Sequence, residues 1–322
     1  MAAPEVSVLT SSMNRSSYLP RVWKSLDNQT IKNFEWVIGD DGSSDNTAEV
    51  IEMLSRKSSF PITVIAASER IGKSMIDNYA INHANGKYIL LCDSDDWLEP
   101  FAIEQMLKSV QDKDDDDNFL GSVGLCQDNL GSCTGEFPKK IKQHLKMNDL
   151  FYKYEFEEDC AVLLKTSILK QHPFPEIDFY TPEASIWTKI GKKYVQLCNT
   201  VVLNKEYKSN HAISFSNSYT YSRGKAFSLS QIYLNLSKKE TQKFNIYLDL
   251  FTYLRFGFHG DVKLIKLFTW FPKKFWVLMA IISPISYIFS LKDRFQKKVN
   301  KTHKGFEIAS TRYTIKLKTY GK

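Results

Sequence analysis

At 322 residues the chain is long enough to bury a substantial core. Its 43% hydrophobic and 25% charged content excludes a disordered or fibrous protein. The formal net charge of +7 is uneven: residues 261–322 carry 14 Lys and Arg against 3 Asp and Glu, which leaves the body before them net negative. A basic tail on a mildly acidic body points to an anionic surface as partner and gives no reason to invoke a nucleic acid.

The five cysteines, Cys92, Cys126, Cys133, Cys160 and Cys198, form no CxxC pair and no His-spaced ligand pattern. A disulfide framework and a zinc site are therefore not expected, and a reducing compartment is. No basic segment followed by an apolar stretch opens the chain, since Val6-Ser7-Val8-Leu9 already has strand character. The folded body is expected to face the cytoplasm.

In chain order, residues 5–10, 34–39, 61–66 and 87–92 have strand length and β-branched or aromatic content. Between them, residues 18–29 place Leu19, Val22, Trp23 and Leu26 on one helical face. Residues 45–56 do the same with Val50, Met53 and Leu54, and residues 74–84 supply a third helix. This alternation predicts an α/β fold, a mostly parallel sheet with helices on its faces. Polar clusters follow the strands, at Ser11-Ser12-Met13-Asn14, Asp40-Asp41-Gly42-Ser43 and Asp93-Ser94-Asp95-Asp96. Ligands of such sheets bind beyond the carboxyl ends of the strands. The acidic run at 112–117 reads as a solvated loop, with an acidic metal trap as the alternative. Residues 160–165 and 195–203 read as strands, 184–191 as a short helix, and helices dominate from Arg223 onward. Three regions follow, 1–105, 106–222 and a helical, basic 223–322.

Asp93 and Asp95 leave a strand end at i and i+2, where two carboxylates could meet one hard cation together with diphosphate oxygens. A helix-capping cluster is the plainer reading. A carboxylate at Asp41 could accept from the imide N–H of uracil, or could make an ordinary Asx turn. Ile71-Gly72-Lys73 could present free N–H groups and a cation to phosphate, or simply a solvated lysine.

The ordered set is more specific than its pieces. Val6-Ser7-Val8-Leu9, Met13-Asn14-Arg15, Leu26-Asp27-Asn28-Gln29-Thr30, Phe34-Glu35 and the run from Asp40 to Thr47 come first. Gly72-Lys73 with Asn78, Ala84-Asn85-Gly86-Lys87-Tyr88-Ile89 and Asp93-Ser94-Asp95-Asp96-Trp97-Leu98 follow. From about residue 4 to 101 this series resembles the family-2 glycosyltransferases of the GT-A fold. The resemblance implies a cytoplasmic, inverting enzyme that uses Mn²⁺ or Mg²⁺ and a nucleotide-sugar donor, most often a UDP-sugar. Residues 1–105 become its nucleotide-sugar half and 106–222 its acceptor half. Carried over by position, Ser11 and Met13 line the base pocket, Asp41 holds the uracil, Asp93 touches ribose or sugar, and Asp95 binds the metal. Asn14, Gly72, Lys73 and Ser94 complete the donor-binding set. Met13 departs from the family, which usually has a stacking aromatic there. The resemblance also implies a general base ahead of a Trp-containing helix, and Pro182-Glu183-Ala184-Ser185-Ile186-Trp187 matches with Glu183 in that position. A helix-start glutamate is the alternative reading, with Asp178 and Asp159 as fallback bases. His211 is a weaker third-ligand candidate, and Arg223 and Lys225 could reach a diphosphate from a loop.

In the tail, residues 275–291 form 17 positions without charge, interrupted by Pro284 and flanked by Lys273-Lys274 and Lys292-Asp293-Arg294. That is short of the roughly 20 residues a spanning helix wants. Trp270, Phe271, Phe275 and Trp276 beside lysines suggest that residues 270–300 form an in-plane or re-entrant anchor on anionic lipid. A buried helix and a true span are the alternatives. A peripheral or monotopic enzyme on the cytoplasmic face of a membrane would meet a glycan or lipid-linked saccharide acceptor, as in surface-polysaccharide assembly. Among rivals, a dinucleotide oxidoreductase lacks its GxGxxG and a nucleotidyltransferase its Gly-rich N-terminal loop. A processive synthase lacks Gln-x-x-Arg-Trp. A polyprenyl-phosphate sugar transferase and an inactive scaffold that kept the fold remain.

Overall fold

The computed structural model describes residues 3–111, 116–133, 135–139, 141–177, 181–206, 221–238, 240–241, 244–295 and 313–321. The chain divides into two compact units, one of Met1–Pro173, Gly191–Ala212 and Ala309–Lys322, the other of Phe174–Ile190 and Ile213–Ile308.

The first unit opens as the alternation predicts, with β1 (Val6–Ser12), α1 (Leu19–Asp27), β2 (Phe34–Asp40), α2 (Thr47–Lys57), β3 (Ile62–Ala67), α3 (Lys73–His83) and β4 (Tyr88–Leu91). It continues with β5 (Trp97–Leu98), α4 (Ala102–Val110), β6 (Phe119–Asp128), β7 (His144–Lys146), β8 (Cys160–Lys165), α5 (Thr166–Gln171) and β9 (Tyr194–Lys205). The last strand, β10 (Ile315–Tyr320), returns from the far end of the chain. All ten strands share one sheet in the order β10-β3-β2-β1-β4-β8-β6-β9-β5, with β7 on β9. Strands β3, β2, β1 and β4 pair in parallel, whereas β8 and β10 join them antiparallel.

Every residue of β2 is buried, as helices on both faces of a parallel sheet require. Leu19, Val22 and Leu26 of α1 pack with Val8, Trp36 and Ile38 into the main core. At the amino ends of the strands, Glu35 accepts from the Ser7 hydroxyl at 2.6 Å, the Asn85 N–H at 2.6 Å and the Asn85 amide at 3.1 Å. Ser7 in turn accepts from the Gly86 N–H at 2.8 Å. The Phe34-Glu35 and Asn85-Gly86 motif pieces thus close the amino-terminal edge of the sheet, at the opposite end from the polar clusters.

Elements β5, α4, β6, β7, α5 and β10 were not read from the sequence, and two of them have a plain physical reason. Strand β6 carries Gly121, whose added Cβ would meet the Leu163 carbonyl oxygen at 2.0 Å, so the strand needs a glycine there to pair closely with β8. Strand β10 runs antiparallel to β3, with Ile315 opposite Ala67 and Tyr320 opposite Ile62. The end of the basic tail is therefore sheet and not helix.

The second unit contains α6 (Ala184–Ile190), α7 (Ser222–Asn235), α8 (Ile246–His259), α9 (Leu264–Trp270) and α10 (Trp276–Phe295). Its core gathers Ala226, Tyr233, Leu250, Tyr253, Leu254, Leu267, Phe271 and Met279.

Candidate active site

Because β2, β1 and β4 run parallel and adjacent, the loops leaving their carboxyl ends converge. Asp41 stands just past β2, its N–H bonded to the Ser12 carbonyl at 2.8 Å. Its Oδ1 accepts from the backbone N–H of Ile71 at 2.6 Å and of Gly72 at 2.9 Å. Arg70 Nε lies 3.9 Å from the other carboxylate oxygen. Burial pushes the Asp41 carboxyl up to about 6, against the pull of those two N–H donors and Arg70. Gly42 follows at φ +68°, and a Cβ there would stand 2.4 Å from the Glu69 backbone, so only glycine fits this approach of the two loops. The free N–H groups expected at residues 71 and 72 are instead committed to Asp41.

The next layer is ionic. Lys73, opening α3, places its ammonium 3.0 Å from Asp77 and 3.6 Å from Asp93. The Ser11 hydroxyl donates to the other oxygen of Asp77. Lys205, the last residue of β9, lies 4.0 Å from Asp93 and 3.2 Å from Asp96. Asp96 also accepts from the Glu206 N–H at 3.2 Å. Burial opposes ionisation of Asp93, but the ammonium groups of Lys73 and Lys205 outweigh it and hold that carboxyl below its usual range. For Asp96 burial wins: despite Lys205, and with Asp93 and Asp95 adding repulsion, its carboxyl is pushed up to about 7. Burial disfavours the Lys205 ammonium, yet Asp93 and Asp96 keep it protonated far above its usual range.

Asp95 is partly exposed. Its carbonyl accepts from Arg21, whose guanidinium stacks 4.2 Å over Trp97 and bridges to Glu206 at 3.0 Å. Ser94 is buried beside it. Met13 is half-buried and Asn14 exposed in the loop after β1. Asn14 adopts φ 54°, and its amide oxygen accepts from the N–H of Ser44 at 2.8 Å and Asp45 at 3.2 Å, clamping the β1 loop to the β2 loop.

The structure thus bonds Gly72 to Asp41, pairs Lys73 with Asp93 and ties Ser11 to Lys73 through Asp77, with Asp95 next to Asp96. Sequence reasoning missed Asp77, Lys205, Glu206 and Arg21. Lys205 ends a strand that was legible; Arg21 gave no local signal. Glu183 belongs to the second unit, where its carbonyl accepts from Ile186 at 2.9 Å and Trp187 at 3.1 Å as α6 begins. Arg223 and Lys225 also lie there, on helix α7 and not on a loop: Arg223 donates to the Gly260 carbonyl at 3.0 Å and Lys225 lies 5.7 Å from the Phe256 ring centre. Asp159 is exposed just before β8. Asp178, His211 and residues 112–115 of the acidic run lie outside the described residues.

Among the described residues no three His, Cys, Asp or Glu side chains are grouped to hold a metal alone. The donors present at 93, 95 and 96 are carboxylates, and repulsion from Asp93 and Asp95 adds to burial in raising the Asp96 carboxyl. Hard oxygen donors with excess negative charge fit Mg²⁺ or Mn²⁺ completing its shell with ligand oxygens.

The family model of glycosyl transferase family 2 matches residues 7–172, more than half of the chain. The chain belongs to that family. Among curated relatives of this family-2 chain, it is 27% identical over 190 residues to the uncharacterized glycosyltransferase MJ1057 of Methanocaldococcus jannaschii, covering 59% of this chain and 65% of that protein. It is 25% identical over 194 residues to a GalNAc(5)-diNAcBac-PP-undecaprenol beta-1,3-glucosyltransferase of Campylobacter jejuni, covering 59% and 60%. The chain therefore spans about three-fifths of the length of these two relatives. Among solved structures, TarS 1-349 of S. aureus superposes with a TM-score of 0.56 at 15% identity over 94% of this chain and 99% of that one. The mannosyltransferase PcManGT of Pyrobaculum calidifontis, solved with GDP-Man and Mn²⁺, gives 0.54 at 16% identity over 91% and 89%. These likenesses establish the GT-A fold.

Proposed function

We propose that this family-2 chain is an inverting, metal-dependent glycosyltransferase that moves a sugar from a UDP-sugar to a hydroxyl of a glycan or lipid-linked saccharide, in cell-surface polysaccharide synthesis at the cytoplasmic face of a membrane. One observation carries the reading. The converging strand ends set the buried Asp41 carboxylate, held by two backbone N–H groups, near a mixed-charge cluster at Asp93, Asp95, Asp96, Lys73 and Lys205. A nucleotide diphosphate has the same two parts, a flat base and a charged tail.

Ser11 and Met13 line the base pocket, and Asp41 accepts from the imide of uracil. Asn14 fixes the loop that carries Met13. Gly72 and Lys73 approach the phosphates, while Asp93 and Ser94 meet ribose or sugar. Asp95, with Asp93 beside it, holds Mn²⁺ or Mg²⁺, which when bound neutralises charge on the departing diphosphate. Glu183 takes the proton of the acceptor hydroxyl as its oxygen attacks the anomeric carbon and the nucleoside diphosphate leaves. Residues 1–105 hold the donor and 106–222 the acceptor, while the helices between Ser222 and Phe295 meet the membrane and β10 returns to the sheet.

The relatives support the donor and acceptor classes. The same fold is solved with UDP-GlcNAc in TarS and with GDP-Man in PcManGT. The name of the C. jejuni relative specifies an undecaprenol-linked acceptor. The test is release of nucleoside diphosphate from a panel of UDP-, GDP- and dTDP-sugars, with bacterial lipid-linked saccharides as acceptors. Metal-dependent turnover of one donor, absent in Asp95→Ala, is expected. No release or transfer from any donor by the folded chain would favour a scaffold that kept the fold.

A further inference from the structure

We infer that the second unit docks on an anionic phospholipid surface through the outward face of α10, with that helix lying in the plane of the surface. Helix α10 is built inside out. Its inner stripe is Met279, Ser283, Ser286, Ser290 and Asp293, all buried at i+3 and i+4 spacing. Its outer stripe, on the opposite face, is Val277, Ile281, Ile285, Ile288 and Phe295, with Val277 77%, Ile281 65% and Phe295 93% exposed. A helix on a water-facing surface carries the reverse arrangement, polar outside and apolar inside. The outer stripe suits hydrocarbon.

The inner face is a specific contact with α8 and not an accident of composition. The Ser286 hydroxyl donates to the Phe251 carbonyl at 3.3 Å. Asp293 accepts from Arg255 Nε at 2.6 Å and from its Nη2 at 2.6 Å, with His259 Nε2 at 3.0 Å. Phe289 packs edge-on to Phe251, and Tyr287 to Phe258.

Length decides between lying on and crossing. Residues Lys273–Phe295 are long and apolar enough to cross a membrane. However, α8 lies along α10, and its 14 residues reach only about 21 Å of the roughly 30 Å hydrocarbon core. A crossing would carry the polar stripe of Ser283, Ser286 and Ser290 to hydrocarbon depth, with Asp293, Arg255 and His259 at its boundary, which is unfavourable. Lying in the plane immerses only the outer stripe, to about 5–10 Å.

Charge selects the occupant. Exposed Lys273 and Lys274 precede the helix, and exposed Lys292 and Arg294 sit in its last turn. Lys274 lies 4.9 Å from the Phe275 ring centre, Lys273 5.9 Å from Trp276 and Lys292 6.0 Å from Phe289, so aromatic and lysine pairs mark both ends. Such pairs suit an interface where rings enter the acyl boundary and ammonium groups reach anionic headgroups. A second copy of the chain is a poorer occupant, because a symmetric pairing would set positive ends against positive ends.

The inference takes the membrane location from the proposed function, but vesicle binding is read without turnover, so the two fail separately. The full chain is floated with vesicles of phosphatidylcholine alone or mixed with phosphatidylglycerol, beside an Ile281→Glu, Ile285→Glu, Ile288→Glu triple variant. The wild type is expected to float with the anionic vesicles and to release in high salt. The triple variant is expected to bind at least about tenfold more weakly with an unchanged melting temperature. If the triple variant does not fold, Lys273→Glu with Lys274→Glu is expected to remove the anionic preference while leaving the α8 contact intact. Three results would each overturn the inference: no vesicle binding by the wild type, binding that survives salt and an alkaline carbonate wash as a span would, or a lipid-free dimer that the triple variant dissolves.

Discussion

Lys205 sets its ammonium 3.2 Å from a carboxylate oxygen of Asp96, joining the end of β9 to the turn after β4 across more than a hundred residues of sequence. The same ammonium lies 4.0 Å from Asp93, so one fixed cation balances two of the three clustered carboxylates. Asp96 is only 3% exposed on its side chain, which makes the pairing costly to break from one side.

Lys205→Met is expected to lower stability by about 3–5 kcal/mol, because it leaves buried negative charge without a partner. Added Mn²⁺ should recover part of that loss by neutralising the same carboxylates. Thermal melts with EDTA and with Mn²⁺ check this, and an equal loss in both would contradict a cation site at Asp93 and Asp95.

Glu35→Ala removes the acceptor of three hydrogen bonds at the amino-terminal edge of the sheet. Stability is expected to fall by at least about 2 kcal/mol, or roughly 4–8 °C in Tm. Nucleotide affinity of the folded fraction should be unchanged, since the polar clusters lie at the opposite ends of the strands. Calorimetry and nucleotide titration on one sample separate the two effects.

The first ninety residues were readable because each strand, helix and turn there carries its own local signal. Asp41 and Asp93 stood out for the same reason, as carboxylates directly after apolar runs. Strand β6 hid behind Gly121 and Gly124, which lower strand character, but the first lets β8 pair closely and the second leaves room for the Val202 and Met106 side chains. Strand β10 alternates lysines with Ile315, Leu317 and Thr319, so it read as charged tail until β3 supplied its partner. Arg21 and Lys205 reach the site only through long-range packing, which no motif encodes. The polarity of α10 was invisible for a different reason. Its serines look neutral in a linear run, and only the α8 contact shows that they face inward.

Burial holds the Asp41 carboxyl at about 6, above its value of about 4 in an unfolded chain. The folded state therefore binds that proton more tightly, and stability contributed here falls as pH rises from about 4 through about 6. Asp41→Asn should flatten this slope and weaken nucleotide binding. Urea unfolding at about pH 5 and about pH 7.5 checks the sign, and a steeper decline in the variant would contradict it.

Glu183→Gln is expected to reduce transfer by about 10²–10⁴-fold while leaving donor affinity alone, as loss of a general base should. Single-turnover kinetics beside nucleotide titration distinguish this from a folding defect. A parallel loss of donor affinity would place Glu183 outside the base role.

The most direct measurement is a thermal-shift panel of UDP, GDP, CMP and dTDP, with and without Mn²⁺, on the wild type and Asp95→Ala. Ligands that bind only the folded state raise its melting temperature by mass action. A manganese-dependent shift with UDP, lost in Asp95→Ala, is the result predicted here. No shift with any nucleotide in a folded sample would contradict a sugar-nucleotide site at these strand ends.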